Sequence, residues 1–375
     1  MELRAFGRTG LNLSALSLGT MRCLQSPETV AAVLERAIAL GINHVETARG
    51  YGHSEEFLGR AIAAGGWRDR LVLTTKFLPG TAAAELDRQI DDSLTRLRVD
   101  HLDCVAVHGV NRADHLQWLR DETGGVAALL RAKADGRIGH LGFSSHGPLD
   151  IVQGAIATDW VEFVNLHYHY FWQRNAPAVT QARDRDLGIF IISPADKGGQ
   201  LYAPPERLRH LCAPLEPLAI AYRFLLARPE ITTLSTGPAT PEELDALVAT
   251  LGAQTGPLTA TEQAAIARLE QQHQAALGSD ACGQCFACLP CPEAINIPEV
   301  LRLRNLAIAY DMDAYGRYRY GMFENAGHWF PGRRGDRCTD CGDCLPRCPH
   351  NLDIPTLLRD THDRLHQTFG RRLWG

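Results

Sequence analysis

The sequence predicts an α/β protein, a parallel (β/α)8 TIM barrel followed by a small, mostly helical module, and three observations carry that reading. Eight short apolar runs are spaced along the first two thirds of the chain. Helix-patterned stretches separate them. Eight of the eleven cysteines then fall in the last quarter, in two nearly matching runs.

The apolar runs are LSALSLGT, HVETA, LVLTTK, LDCVAVH, IGHLGFSS, FVNLHY, GIFIISP and ITTLSTG, each of strand length. Between them lie ETVAAVLERAIALG, AAAELDRQIDDSLTRL, GGVAALLRAKADG and PEELDALVATLG, with apolar residues recurring every three or four positions. Strand and helix alternating eight times favour a closed parallel barrel, whose chemistry sits at the carboxyl ends of the strands. A doubly wound sheet would want a glycine-rich dinucleotide loop after its first strand, and that stretch has none. A further helix, TATEQAAIARLEQQHQAAL, opens with Thr259 and Glu262 at capping-box spacing and runs to Gly278, a natural stop. The predicted domains are therefore 1–278, the barrel, and 279–375, the cysteine module.

Composition narrows the function. With 45% hydrophobic and 22% charged residues, the chain has enough apolar side chains for a large core plus a smaller one. A formal charge of −5 without a long basic run argues against a nucleic-acid groove or an anionic membrane surface. No apolar stretch has the length of a signal peptide or a membrane span, so the expected location is the cytoplasm. Thiols stay reduced there, which makes clustered cysteines metal ligands rather than disulfides.

Polar residues at the strand ends carry the chemistry. ETARGYG, TTK and VAVHG place Glu46, Tyr51, Lys76 and His108 on the rim of a barrel. Here the chain resembles the aldo-keto reductases: FGRTGLNLSALSLGT matches their opening, GINHVETARGYGHSEEFLGRAI their second unit, and TTK and VAVHG follow at the expected spacing. The resemblance implies hydride transfer between a nicotinamide and a carbonyl carbon, with tyrosine supplying the proton. A phenol is a weak acid at neutral pH, so a buried ammonium at hydrogen-bond distance is needed beside it. Lys76 would serve Tyr51 in this way, Glu46 would hold the lysine, and His108 would face the substrate oxygen.

The likeness has departures. Aspartate is usual where Glu46 stands, and the extra methylene must re-aim the ion pair. The fifth strand ends FSSHG, leaving Ser145 or His146 for the nicotinamide carboxamide, and the sixth offers Asn165 where glutamine is usual. IISPADKGG places Ile192 where some relatives stack an aromatic ring, with Ser193 beside it. STGPATPEEL resembles the phosphate-binding turn, giving Ser235, Gly237 and Glu242 as cofactor contacts at a helix N-terminus. It supplies no cation for a ribose 2′-phosphate, so NAD(P)(H) is expected with NADH or NADPH left open. Arg22 and Arg49 read either as anchors for an anionic substrate or as solvated loop arginines.

The two cysteine runs differ by one residue. Cys338, Cys341, Cys344 and Cys348 have the spacing C-x2-C-x2-C-x3-C-P of bacterial ferredoxins, and Cys282, Cys285, Cys288 and Cys291 repeat it one residue tighter. In that pattern the cysteine before proline ligates the other cluster. One [4Fe-4S] cluster would then take Cys282, Cys285, Cys288 and Cys348, and the second Cys338, Cys341, Cys344 and Cys291. Paired C-x2-C motifs also suit a zinc ribbon, the competing reading, which two C-P-terminated quartets disfavour. The long tyrosine-rich insert between the runs resembles helical ferredoxin modules, and Ile-Pro after each run should open a helix.

The function expected is an oxidoreductase acting on a small carbonyl or alcohol, with two four-iron clusters that feed the barrel, drain it to a redox partner such as a ferredoxin or flavodoxin, or brace it. The alternatives are a ferredoxin-like electron carrier whose barrel has lost nicotinamide chemistry, a cluster-dependent redox reaction without NAD(P), or a cluster-stabilised binding protein. Neither nucleic acid nor membrane is an expected partner.

Overall fold

The computed structural model describes residues 1–251 and 256–367. Its chain forms two compact units, Met1–Gly198 with Ala221–Pro257, and Gly199–Ile220 with Leu258–Gly375.

The first unit contains the closed parallel barrel. A hairpin of β1 (Leu3–Ala5) and β2 (Asn12–Ser14) precedes it. The barrel strands are β3 (Leu16–Gly19), β4 (His44–Glu46), β5 (Val72–Phe77), β6 (Leu102–Val107), β7 (Ile138–Ser144), β8 (Phe163–Leu166), β9 (Gly188–Ile191) and β10 (Thr233–Thr236). They close in chain order, with β10 against β3. All eight predicted barrel strands are present. The first predicted run is two elements: LSALSLGT breaks at Ala15 between the hairpin and β3.

The hairpin seals the amino-terminal end of the barrel. Phe6 packs against Phe163 with ring centroids 5.2 Å apart, in a buried cluster with Leu13, Cys104, Ala106, Phe190 and Ile192. Gly188 makes this possible, because a Cβ there would lie 2.3 Å from the Phe6 ring. Period-3.6 patterning gives the outer helices, among them Pro27–Ala39, capped by Ser26 accepting from Thr29 N at 3.1 Å, and Ala83–Leu97. The opposite, carboxyl-terminal rim is thus left to carry polar side chains.

The second unit is mostly helical. The predicted capping box forms, with Thr259 N donating to Glu262 Oε2 at 2.7 Å and Glu262 N to Thr259 Oγ1 at 3.3 Å. Its helix, Ala260–Leu277, ends at Gly278 but packs in this second unit, as does the segment Gly199–Ile220. Arg268 ties the two together by donating to the Leu211 carbonyl at 2.8 Å. Ile297–Tyr310 and Ile354–Leu365 each begin with Ile-Pro, as expected of proline in a first helical turn. Among the described residues no helix is long and apolar enough to cross a membrane.

Candidate active site and cysteine module

Alternation along the strands sets the rim. His44 and Glu46 of β4 and Thr74 and Lys76 of β5 share the inward face, since successive side chains of a strand point to opposite sides. His44 and Thr74 form a lower polar layer: Ser17 Oγ meets His44 Nδ1 at 2.7 Å and Thr74 Oγ1 meets Nε2 at 2.8 Å. Burial, with help from the Lys76 charge, drives the His44 pKa down to about 3 and keeps the ring neutral.

One layer higher the Lys76 ammonium is saturated. It lies 3.0 Å from Glu46 Oε1 and donates to the Thr47 carbonyl at 2.9 Å and to Tyr51 Oη at 3.4 Å. An ammonium has three donors, and each has an acceptor. Lys76 and Glu46 are almost fully buried. Burial alone would lower the lysine pKa, but the Glu46 carboxylate, then Tyr51, outweigh it and raise the pKa above its ordinary value. Tyr51 sits in the turn after β4, where Tyr51 N donates to the Ala48 carbonyl at 2.9 Å and its own carbonyl accepts from Ser54 N at 3.0 Å. The Tyr51 ring lies edge-on to His108, centroids 5.7 Å apart. Burial, then the charges of Lys76 and Lys197, push His108 down to about 3, so it stands as a neutral imidazole. The four sequence-predicted residues thus come together.

In the second unit the cysteines form two adjoining neighbourhoods, with Cys288 beside Cys282 and Cys285 and also near Cys344. Cys282 feels the charges of Cys285 and Cys348, whereas Cys344 feels those of Cys338, Cys341 and Cys291. Cys291, Cys338, Cys341 and Cys344 line one pocket together with Ile295, Ile297, Pro355 and Leu358. Four thiols around an apolar chamber fit a cubane held by thiolates. Burial raises the pKa of Cys282, and of Cys288 to about 12, so ligation at those positions must release a proton. Among the described residues no three His, Cys, Asp or Glu side chains are grouped so as to hold a single metal ion.

Comparison with known proteins agrees with this geometry. The profile of the Aldo/keto reductase family matches residues 15–271. The chain belongs to that family. A 4Fe-4S dicluster domain matches residues 281–352, so this is an aldo/keto reductase-family oxidoreductase carrying an iron–sulfur domain. The uncharacterized oxidoreductase YrpG of Bacillus subtilis is 25% identical over 296 residues, 65% of this chain and 89% of that protein. L-galactose dehydrogenase of Arabidopsis thaliana is 30% identical over 216 residues, covering 53% and 66%. Among solved structures, aldo-keto reductase AKR11C1 of Bacillus halodurans superposes with a TM-score of 0.62 at 22% identity, over 72% of this chain and 96% of that one.

Within this aldo/keto reductase barrel the cofactor positions read from sequence are unequal. Asn165 is fully buried in β8 and donates from Nδ2 to Glu46 Oε1 at 2.5 Å. Ser145 is also buried; its hydroxyl goes to the Val110 carbonyl at 2.6 Å and accepts from Gly147 N at 3.0 Å. His146, its neighbour, meets His167 Nε2 at 2.8 Å. Ser193 turns the chain after β9 with a φ of 53°. Ser235 lies within β10 and Gly237 just beyond it, its carbonyl accepting from Arg22 at 2.7 Å. Glu242 is exposed in the first turn of Pro241–Leu251, its pKa lowered by a hydrogen bond with Thr240. Arg49 pairs with Asp92 at 2.9 Å.

Three contacts escaped the sequence. Glu243, next to Glu242, accepts from Arg22 at 3.0 Å and from Ala239 N at 2.9 Å, filling the turn with a carboxylate of the chain's own. The Thr47 carbonyl that completes the lysine shell is backbone, which no residue identity reveals. The Asn165–Glu46 bond joins residues 119 positions apart.

Proposed function

We propose that this chain is an NAD(P)-linked carbonyl or alcohol oxidoreductase whose barrel exchanges electrons with two [4Fe-4S] clusters. The observation that supports it most is the buried Lys76 ammonium shared by Glu46, Thr47 and Tyr51. A bound nicotinamide would supply a hydride, two electrons together, and the two clusters, carrying one electron each, would between them match that pair. The chain's own residues then have defined tasks. Tyr51 holds the proton at Oη and gives it to the substrate oxygen; Lys76 holds the phenol ready; Glu46 keeps the lysine charged. Neutral His108, edge-on to Tyr51, directs the substrate oxygen to that proton by hydrogen bonding.

Of the cofactor positions, Asn165 fits a carboxamide best, because its Oδ1 is buried without a hydrogen-bond partner. Ser193, Ser235, Gly237 and Glu242 stay in the proposal as the ribose and pyrophosphate side. Ser145 fits less well, its hydroxyl being given to Val110. The cysteine quartets are Cys282, Cys285, Cys288 and Cys348, and Cys338, Cys341, Cys344 and Cys291. We assign residues 1–278 to the reductase domain and 279–375 to the cluster domain as units of sequence, with the helix before Gly278 packing in the second compact unit. A small carbonyl or alcohol, a ferredoxin- or flavodoxin-type redox partner and a cytoplasmic setting complete the proposal.

A second reading has its own observation. Glu243 holds Arg22 and the Ala239 amide where a pyrophosphate would need them, which favours a cluster-dependent redox reaction without a dinucleotide. One experiment separates the two: anaerobic protein is titrated with NADH and with NADPH while the cluster absorbance and electron paramagnetic resonance are followed. Cluster reduction by either nucleotide supports the proposal, and no response to both favours the second reading. The same preparation should hold about eight iron and about eight sulfide per chain. Cys348→Ser should remove the cluster of Cys282, Cys285 and Cys288, and loss of its own run's cluster would refute the crossed ligation.

A further inference from the structure

We propose that Asn165 is a positioning residue: it reaches across the barrel to hold the Glu46 carboxylate against Lys76, and the two side chains are matched in combined length. The inference rests on the proposed role of the Lys76 centre. Glu46 ends β4 and Asn165 lies in β8, four places away in a closed ring of eight strands. The two residues therefore stand on opposite walls, and their bond at 2.5 Å spans the lumen.

Glu46 Oε1 is a shared acceptor. Lys76 Nζ lies 3.0 Å from it and Asn165 Nδ2 lies 2.5 Å from it. Two donors from different strands converge on that one oxygen and fix its position, which a single lysine contact leaves free to swing. β8 is well suited to the task. It is paired on both sides, Asn165 lying opposite Ser144 of β7 and Phe190 of β9, and its carbonyl accepts from Ser145 N at 3.1 Å. The anchor is rigid.

The other half of the amide strengthens the argument. Asn165 is completely buried, yet Oδ1 has no hydrogen-bond partner. A buried, half-satisfied amide destabilises a core relative to an apolar residue of the same size. Nδ2 is the half of the amide that acts within the chain, and Oδ1 is the half offered to the carboxamide.

Length is then the testable feature. A side chain at 46 shortened by one methylene would pull the carboxylate back by roughly one ångström, a displacement on the scale that costs about a hundredfold in reactions depending on alignment. Lengthening residue 165 by one methylene would push the amide into the same space. Made together, the two changes restore the span.

The experiment is a cycle of Glu46→Asp, Asn165→Gln and the double variant, read by carbonyl-reduction kcat, by dinucleotide KM and by the urea unfolding midpoint. Each single variant should lose about tenfold or more in kcat, and the double should return to within about threefold of the parent, a coupling of the kind contacting residues show. The unfolding midpoint should fall in both singles and recover in the double. Effects that multiply without recovery would overturn the proposal. So would an Asn165→Gln variant that raises dinucleotide KM equally with Glu or Asp at 46, since that would make the amide a cofactor grip alone. If Tyr51→Phe leaves turnover intact, the proposed chemistry fails, but the unfolding cycle still decides whether Asn165 and Glu46 are coupled.

Discussion

Each unit of this chain buries a cation between a carboxylate and a tyrosine. In the barrel it is Lys76 with Glu46 at 3.0 Å and Tyr51 Oη at 3.4 Å; in the cysteine module it is Arg302, bidentate to Glu299 and 3.4 Å from Tyr315 Oη. Both cations are at most 3% exposed and both pKa values are raised despite burial, by the neighbouring carboxylate and then the tyrosine. The identity of the cation separates them. A guanidinium keeps its proton under all ordinary conditions and grips Glu299 with a planar fork, so that group is a static brace one turn into the helix Ile297–Tyr310. An ammonium responds to its surroundings, and Tyr51, unlike the 2%-exposed Tyr315, is only half-buried. In the proposed reading the same construction serves as a clamp in one unit and as a proton site in the other.

The largest effect expected from breaking this comparison lies in the module. Glu299→Gln would leave a buried guanidinium without its counter-charge, and removing one partner of such a pair costs about 3–5 kcal/mol. Urea unfolding of the cluster-loaded protein should show that loss. A change below about 1 kcal/mol would mean that the pair behaves like a surface bridge.

Next comes the barrel pair. Glu46→Gln leaves Lys76 poorly compensated, lowers its pKa and weakens its pull on Tyr51, so kcat at neutral pH should fall by roughly a hundredfold. Sequence reasoning alone would make Glu46→Asp a restoration of the residue usual in this family. The Asn165 contact reverses that expectation, and the aspartate variant should recover only when residue 165 is lengthened.

The smallest effect is a pH dependence centred on the lower polar layer of the barrel. His44 titrates near 3 in the folded chain and near 6.5 when exposed. Below pH 6.5 the unfolded state therefore binds a proton that the native state refuses, and stability falls as the pH drops toward 3. Between pH 6.5 and 5 the loss is about 1.6 kcal/mol for this one residue. His44→Gln should flatten the slope of urea stability against pH over that interval. An unchanged slope would place the titration elsewhere.

What could be read from sequence follows the range of the interactions. The barrel strands, the Thr259 capping box and the two Ile-Pro helix starts are local patterns, written in neighbouring residues. Glu46, Tyr51, Lys76 and His108 were legible because each sits at or just beyond a strand end, where chain position fixes the rim. The iron–sulfur domain was legible from the spacing of the two cysteine runs, whereas the crossed ligation is a proposal that Cys348→Ser tests. The break at Ala15 was hidden because two short strands and their junction make one apolar run. Asn165 could be placed on β8 but not assigned to Glu46, since that contact depends on which strands face each other. Glu243 was hidden by its neighbour, as the two carboxylates look alike until Arg22 and Ala239 choose one of them.

The most direct test of the distinction between clamp and proton site is a matched pair of substitutions, Tyr51→Phe and Tyr315→Phe, each removing one hydroxyl beside a buried cation. Carbonyl-reduction kcat would be measured at saturating cofactor and normalised to cluster-loaded, folded protein. The account predicts a loss of about a hundredfold or more for Tyr51→Phe, the scale of general acid catalysis, and no change for Tyr315→Phe. Unchanged turnover in Tyr51→Phe, or an equal loss in both variants, would contradict it.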